Sequence, residues 1–155
     1  FLLKSLLEQY TTIALYYPIQ SELDIRSLID EYRMHDSKNI ILPAIEEELI
    51  FKLYTKESSL IQKAFQTFEV DVSSNVFVDD IEVIVLPCIA IDKSGHRLGY
   101  GKGYYDKALA AYAGIKIGIC YDEAVLEYDF YEAHDIAVDY IVTEKRIIKV
   151  SERDV

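Results

Sequence analysis

Ile81-Glu-Val-Ile-Val-Leu-Pro87, followed by Arg97-Leu-Gly-Tyr-Gly-Lys-Gly-Tyr-Tyr-Asp106, is the stretch around which the chain is organised. The first segment is an apolar, β-branched run, which predicts a buried strand. The second holds three of the chain's six glycines, at every second position. Tyr104 to Tyr112 then has helical character. The layout is strand, loop, glycine-rich turn, helix. Its physical reading is an anion cradle: glycine permits left-handed backbone angles and close approach, so successive N–H groups can converge on phosphate oxygens at the start of a helix. Arg97 and Lys102 would add full charges, and Asp106 a carboxylate for a magnesium ion that travels with phosphates. The spacing is neither a Walker A motif nor the G-x-G-x-x-G of dinucleotide folds. The bland rival is a glycine-rich surface loop with two solvated cations.

Working outward, 155 residues predict one domain with a real core. A 51% hydrophobic, 28% charged composition is that of an ordinary globular protein. The net charge of −11 argues against nucleic acid or an anionic membrane as main partner. Against that background, Lys93, Arg97, Lys102 and Lys107 face only Asp92 and Asp106 between positions 92 and 107, a basic island suited to an anionic ligand. Cys88 and Cys120 each end an apolar run and read as buried, reduced thiols of a cytoplasmic protein. No apolar run reaches the length of a membrane span.

Upstream, residues 1–10 have helical periodicity, and Thr11 to Tyr17 reads as a strand stopped by Pro18. Asp24 is the expected N-cap of a helix whose buried face is Ile25, Leu28, Ile29 and Tyr32. Asn39 to Pro43 predicts a second strand and Glu48 to Tyr54 a third. Leu60 to Phe68 predicts a short helix, and Phe68 to Asp80 a loop or lid. Downstream, strands are expected at Ile115 to Tyr121 and Ala137 to Thr143, with an extra one at Arg146 to Val150. Asp122 to His134 is expected to be irregular or briefly helical. This alternation predicts an α/β fold, a largely parallel central sheet with flanking helices in a Rossmann-like three-layer architecture. Ligands of such sheets gather at the carboxyl ends of the strands, where Glu22, the glycine-rich loop and Asp135 fall.

Arg97 to Asp106, preceded by Leu86-Pro87 and Ile91-Asp92 and followed by Leu109, resembles the signature of the 5-formyltetrahydrofolate cyclo-ligase family. Three further segments agree in order and spacing: Ala14-Leu-Tyr-Tyr-Pro18 leading to Glu22-Leu-Asp24, the Ile40-Ile-Leu-Pro43 strand, and His134-Asp135 followed by Asp139-Tyr-Ile-Val-Thr-Glu144. The resemblance implies an ATP- and magnesium-dependent ring closure of 5-formyltetrahydrofolate to 5,10-methenyltetrahydrofolate. It implies that Arg97, Leu98, Gly99, Tyr100, Gly101, Lys102, Gly103, Tyr104 and Tyr105 form the ATP phosphate loop, with Arg97, Lys102 and Tyr104 catalytic. It further implies Asp106 and Asp135 as metal carboxylates, and Tyr17, Glu22, Tyr100 and Tyr104 around the folate. A cytoplasmic monomer, without nucleic-acid or membrane partners, is expected.

Bland rivals exist here too. Glu22 beside Asp24 also reads as an acid of a helix N-terminus, Asp135 as the start of a turn, and Tyr17 as core. The chain departs from the family pattern at two points. A basic pair expected in an N-terminal helix is not found, and Lys4 is wrongly placed to replace it, which predicts a single domain (residues 1–155) lacking an N-terminal helical segment. Asp122-Glu-Ala-Val-Leu126 stands where the family usually shows a glutamine. The competing readings are a non-catalytic nucleotide- or folate-binding relative, and a sugar-phosphate isomerase or acyl-transferase relative; the long Gly-Tyr motif speaks against the latter.

Overall fold

The computed structural model describes residues 2–64, 67–72, 74–98, 103–128 and 136–150. Five parallel strands make its centre: β1 (Thr12–Ala14), β2 (Asn39–Ile45), β7 (Val83–Pro87), β10 (Ile115–Ile119) and β12 (Tyr140–Val142). Between β2 and β7 in the chain lie β3 (Leu49–Tyr54), β4 (Leu60–Gln62), β5 (Phe68–Val70) and β6 (Asn75–Val76). With β13 (Ile147–Lys149), the large sheet has the order β13-β12-β10-β7-β1-β2-β3-β6. β3, β6 and β13 add antiparallel edges to the parallel centre.

These residues make such a sheet because both of its faces are covered, so the strands can be apolar throughout. Alternate residues then supply two separate cores. Ile13, Leu15, Ile40, Leu42, Val83, Val85, Ile117 and Ile119 face one side, where helix α1 (Leu2–Leu7) inserts Leu3 and Leu7, and α2 (Arg26–Arg33) inserts Leu28, Ile29 and Tyr32. Ala14, Ile41, Ile84, Leu86 and Ile141 face the other side, together with Leu109 and Tyr112, which follow α3 (Tyr104–Ala108). Full burial of Leu3 and Leu7 is worth about 2 kcal/mol each, which fastens an otherwise marginal six-residue helix.

Several elements differ from expectation. β1 ends at Ala14, although Leu15 N–H still donates to Ile41 O at 2.9 Å. β2 runs through Pro43 to Ile45; Pro43 lies beyond the end of β1, where no N–H is required on that side. Asp24 stands one residue before the N-cap, Ile25, yet its carboxylate accepts the Arg26 N–H at 3.0 Å. The expected helix between Leu60 and Phe68 is instead part of a hairpin in which Leu60 pairs with Val70 and Gln62 with Phe68. The expected loop from Phe68 to Asp80 contains β5, β6 and a 3₁₀ turn at Val78–Asp80. Burial of Val70 in the first core decides the pairing, a tertiary contact that local periodicity does not carry.

The connection from β7 to β10 holds the glycine-rich stretch. β8 (Ala90–Asp92) and β9 (Arg97–Leu98) form a hairpin, and β11 (Val125–Leu126) joins β8 to make a three-stranded sheet. Asp92, fully buried, shapes the turn by accepting the N–H groups of Ser94 and His96 at 3.0 and 2.9 Å.

Candidate active site

Counted along the chain, the first parallel strand, β1, lies between the second, β2, and the third, β7. The winding direction therefore reverses between β1 and β7, which is where open α/β sheets open a crevice beyond the strand ends. A cleft of about 200 Å³ lies there, lined by Ser21 and Glu22 after β1, Pro87 and Cys88 at the end of β7, and Cys120, Tyr121 and Glu123 after β10. Its floor is the carboxyl edge of three neighbouring strands.

The loop carrying Glu22 is built by its own hydrogen bonds. Glu22 Oε1 accepts the Ile19 N–H at 2.8 Å while Glu22 N–H donates to Ile19 O at 2.9 Å. The Tyr16 hydroxyl donates to Leu23 O at 2.6 Å, fastening the far end of the loop to the strand end. Burial raises the Tyr16 phenol well above the usual tyrosine range, so it remains a donor at any physiological pH. Gln20, between these anchors, adopts a left-handed φ of 39°, a conformation rare for a side chain other than glycine. Tyr17 lies half-buried with its ring 5.2 Å from that of Phe68.

Arg97, on β9, reaches back to the end of β7. One terminal nitrogen donates to Pro87 O at 3.2 Å, and the guanidinium lies 5.3 Å from the centre of the Tyr105 ring. Its Nε is buried without a hydrogen-bond partner among the described residues. A buried donor left unpaired costs about 1–3 kcal/mol, a cost that an anionic ligand oxygen would remove. Tyr105 is raised above the ordinary tyrosine range, chiefly by burial and partly offset by Arg97, while Glu22 and Cys88 push the same way as burial. Arg97 thus links the Tyr105 ring to the Pro87 carbonyl, and Pro87 and Cys88 line the cleft together with Glu22. The two other described cations of the basic island differ: Lys93 pairs with Glu127 at 2.8 Å and Lys107 with Glu48 at 3.0 Å.

Gly103 caps α3 at a φ of 69°, in the left-handed region, and its carbonyl accepts the Lys107 N–H at 3.0 Å. Here the sequence pattern and the backbone agree: only glycine enters this conformation at little cost. Tyr104 and Tyr105 then start α3, packing against the second core, and Asp106 is half-buried in its first turn. Leu98 is half exposed and accepts the Ile89 N–H through its carbonyl. Gly99, Tyr100, Gly101, Lys102 and Asp135 lie outside the described residues. The structure therefore brings Glu22, Arg97 and Tyr105 together at the strand ends. Ser21, Cys88 and Glu123 are not among the site residues expected from sequence; Cys88 directly follows β7, Glu123 stands four residues after β10, and Ser21 adjoins Glu22 in the loop after β1.

Comparison with known proteins places the chain by family and by fold. The 5-formyltetrahydrofolate cyclo-ligase family profile matches residues 2–144. The 5-formyltetrahydrofolate cyclo-ligase of Haemophilus influenzae is 30% identical over 122 residues, which are 73% of this chain and 65% of that protein. The enzyme of the same name from Escherichia coli K12 is 28% identical over 145 residues, 88% of this chain and 79% of that protein. The NMR structure of Aquifex aeolicus 5,10-methenyltetrahydrofolate synthetase superposes with a TM-score of 0.85 at 36% identity, covering 99% of this chain and 80% of that one. The chain thus spans about two-thirds to four-fifths of these relatives, and it belongs to the 5-formyltetrahydrofolate cyclo-ligase family.

Proposed function

We propose that this chain catalyses the reaction for which its family is named: ATP-dependent cyclisation of 5-formyltetrahydrofolate to 5,10-methenyltetrahydrofolate, with release of ADP and phosphate. The observation that carries the proposal is Arg97, held at the end of β7 beside a cleft at the sheet's reversal point, with a buried Nε that has no partner among the described residues. Support for a Rossmann-like three-layer architecture comes from α1 and α2 on one face of the sheet and α3 on the other.

The chemistry explains why such a site is needed. An amide oxygen is a poor leaving group. The formyl oxygen therefore attacks the γ-phosphorus, displacing ADP, and becomes a phosphate ester on an N5-iminium carbon. N10 adds to that carbon, its proton passes to solvent, and phosphate departs to leave the methenyl bridge. The protein's part is positioning and charge stabilisation. Arg97 offers directed N–H groups to the developing charge, and Lys102 adds a second cation from the glycine-rich loop. Gly99 to Tyr105 wrap the phosphates, with Gly103 supplying the left-handed turn into α3. Glu22 accepts N–H groups of the pterin edge, and Tyr17, Tyr100 and Tyr104 offer stacking faces.

Magnesium fits the donor chemistry: Asp106, half-buried in the first turn of α3 beyond that turn, is a hard oxygen donor, and Asp135 would be the second. When bound, the ion neutralises phosphate charge. The test follows methenyl absorbance and ADP release together, in the presence of 5-formyltetrahydrofolate, ATP and magnesium. Both signals should rise in step and fall at least about 100-fold in Asp106→Ala. ADP release without methenyl formation would remove the cyclisation and leave an ATPase.

A further inference from the structure

The reaction above leaves both cysteines unused, and the fold places them side by side. Pro87 and Ile119 are the last register pair of β7 and β10, and the Cys88 N–H donates to Ile119 O at 3.0 Å. The parallel ladder therefore extends one step and sets Cys88 opposite Cys120. Register partners on neighbouring strands point to the same face of a sheet. Both cysteines accordingly belong to the second core, and Cys88 Sγ lies 3.3 Å from where a Cβ on Gly118, two residues before Cys120, would stand. Both thiols are free, and both residues line the cleft.

Neighbouring strands lie about 4.8 Å apart, inside the Cα separation of about 4.4–6.8 Å that a disulfide accepts, so spacing admits either an S–S bond or one bridging ion. The disulfide needs an oxidant, whereas two thiols take up a soft metal ion with loss of protons alone. Among the described residues no third His, Cys, Asp or Glu completes a metal-binding group with them. The donor set the described residues offer is therefore two sulfurs, which suits a soft ion of low coordination number.

We propose that Cys88 and Cys120 form a two-thiolate site for Cu(I) in the wall of the cleft. On binding, each thiol releases its proton to solvent and forms one Cu–S bond; no electron is transferred, and copper remains monovalent. The bis-thiolate complex carries one negative charge, and the Arg97 guanidinium, which already favours the Cys88 thiolate against the upward push of burial, stands beside it. Burial pushes the Cys120 thiol up to about 12, so copper has to displace a firmly held proton there. Occupancy would place an ion and its charge in the cleft that Glu22, the proposed folate contact, also lines, so inhibition by copper rests on the functional reading above, whereas uptake does not.

The test is an anaerobic titration of the whole chain with Cu(I) delivered as its coloured bicinchoninate complex. One copper per chain should pass to the protein, and Cys88→Ser and Cys120→Ser should each take up at least about tenfold less while keeping the wild-type circular dichroism spectrum. Cyclisation by the wild-type chain should fall as copper is taken up and return when a thiol chelator strips it. Equal uptake by either variant overturns the proposal. So does a Cys88–Cys120 disulfide formed with diamide in a chain that takes no copper. An inactive chain that still binds one copper through both thiols would count against the proposed reaction and not against the site.

Discussion

The Val138 N–H donates to Gly95 O at 2.9 Å, and this bond ties the turn between β8 and β9 to the residues leading into β12. Gly95 turns the β8–β9 hairpin that carries Arg97, and Val138 follows the segment containing Asp135. The neighbouring bridge between His96 and Ala137 continues the contact. Gly95 sits at a φ of 86°, and a Cβ there would stand 2.7 Å from Val138 O. Gly95→Ala therefore meets both an unfavourable backbone angle and a collision with main chain. It should lower stability by about 2 kcal/mol, and cyclisation should fall by more than the unfolded fraction explains. A denaturant midpoint and an assay on the same preparation check this; unchanged activity in the folded variant would mean that the hairpin does not position the site.

Tyr16 holds the Glu22 loop by one bond, its hydroxyl to Leu23 O. Tyr16→Phe keeps the ring in the core and removes only that bond, at a cost of about 1 kcal/mol. Because Glu22 is the proposed folate contact, KM for 5-formyltetrahydrofolate should rise about fivefold (about 1 kcal/mol) while KM for ATP stays put. Steady-state kinetics with each substrate varied in turn read the difference. A parallel rise in both would assign Tyr16 to general packing.

What the sequence disclosed follows from which forces are local. Ile40-Ile-Leu42 and Val83 to Leu86 are apolar on consecutive residues because both faces of the sheet are covered, and the run itself announces a central strand. Gly103 was legible for a similar reason: a left-handed turn has few residues that accept it. Leu60 to Phe68 misled because its partner strand lies several residues on, and Val70 settles the hairpin through burial rather than spacing. Cys88 reads from sequence only as a buried thiol, and Glu123 only as part of a segment that departs from the family pattern, because nothing in their neighbours' chemistry marks a cleft. Only the alignment of β7 with β10, and the loop that follows, brings them to one cleft.

Asp122 ties the loop after β10 to the end of β12. Its Oδ1 accepts from the Thr143 hydroxyl at 2.9 Å and from Arg146 Nε at 2.8 Å. The Arg146 hydrogen bond, and then that of Thr143, hold its carboxyl below the ordinary value of 3.8. A depressed folded-state pKa contributes stability above the unfolded value and loses it as pH falls through the folded one. Asp122→Asn should therefore be less stable than wild type at pH 7, with the gap closing below about pH 4. Urea midpoints across that range test the sign, and a gap that widens in acid would contradict it.

Arg97→Lys separates charge from shape. The cation is kept, but a lysine ammonium cannot lie over the Tyr105 ring as a planar group and donate to Pro87 O while a further N–H stays directed at a ligand. If Arg97 acts through directed hydrogen bonds to the transferring phosphate, kcat should fall about 100-fold, or about 2.7 kcal/mol of transition-state stabilisation. KM for 5-formyltetrahydrofolate should change little, since Glu22 and its loop are untouched. Arg97→Ala should be no more than about tenfold worse than the lysine variant, because most of the loss lies in geometry. The melting temperature provides the control. Arg97 supports β7 through a carbonyl hydrogen bond worth about 1 kcal/mol, so a modest drop is expected in both variants. Should Arg97→Lys keep full kcat, the guanidinium is a brace for the strand end, and the phosphate charge must be met by Lys102 instead.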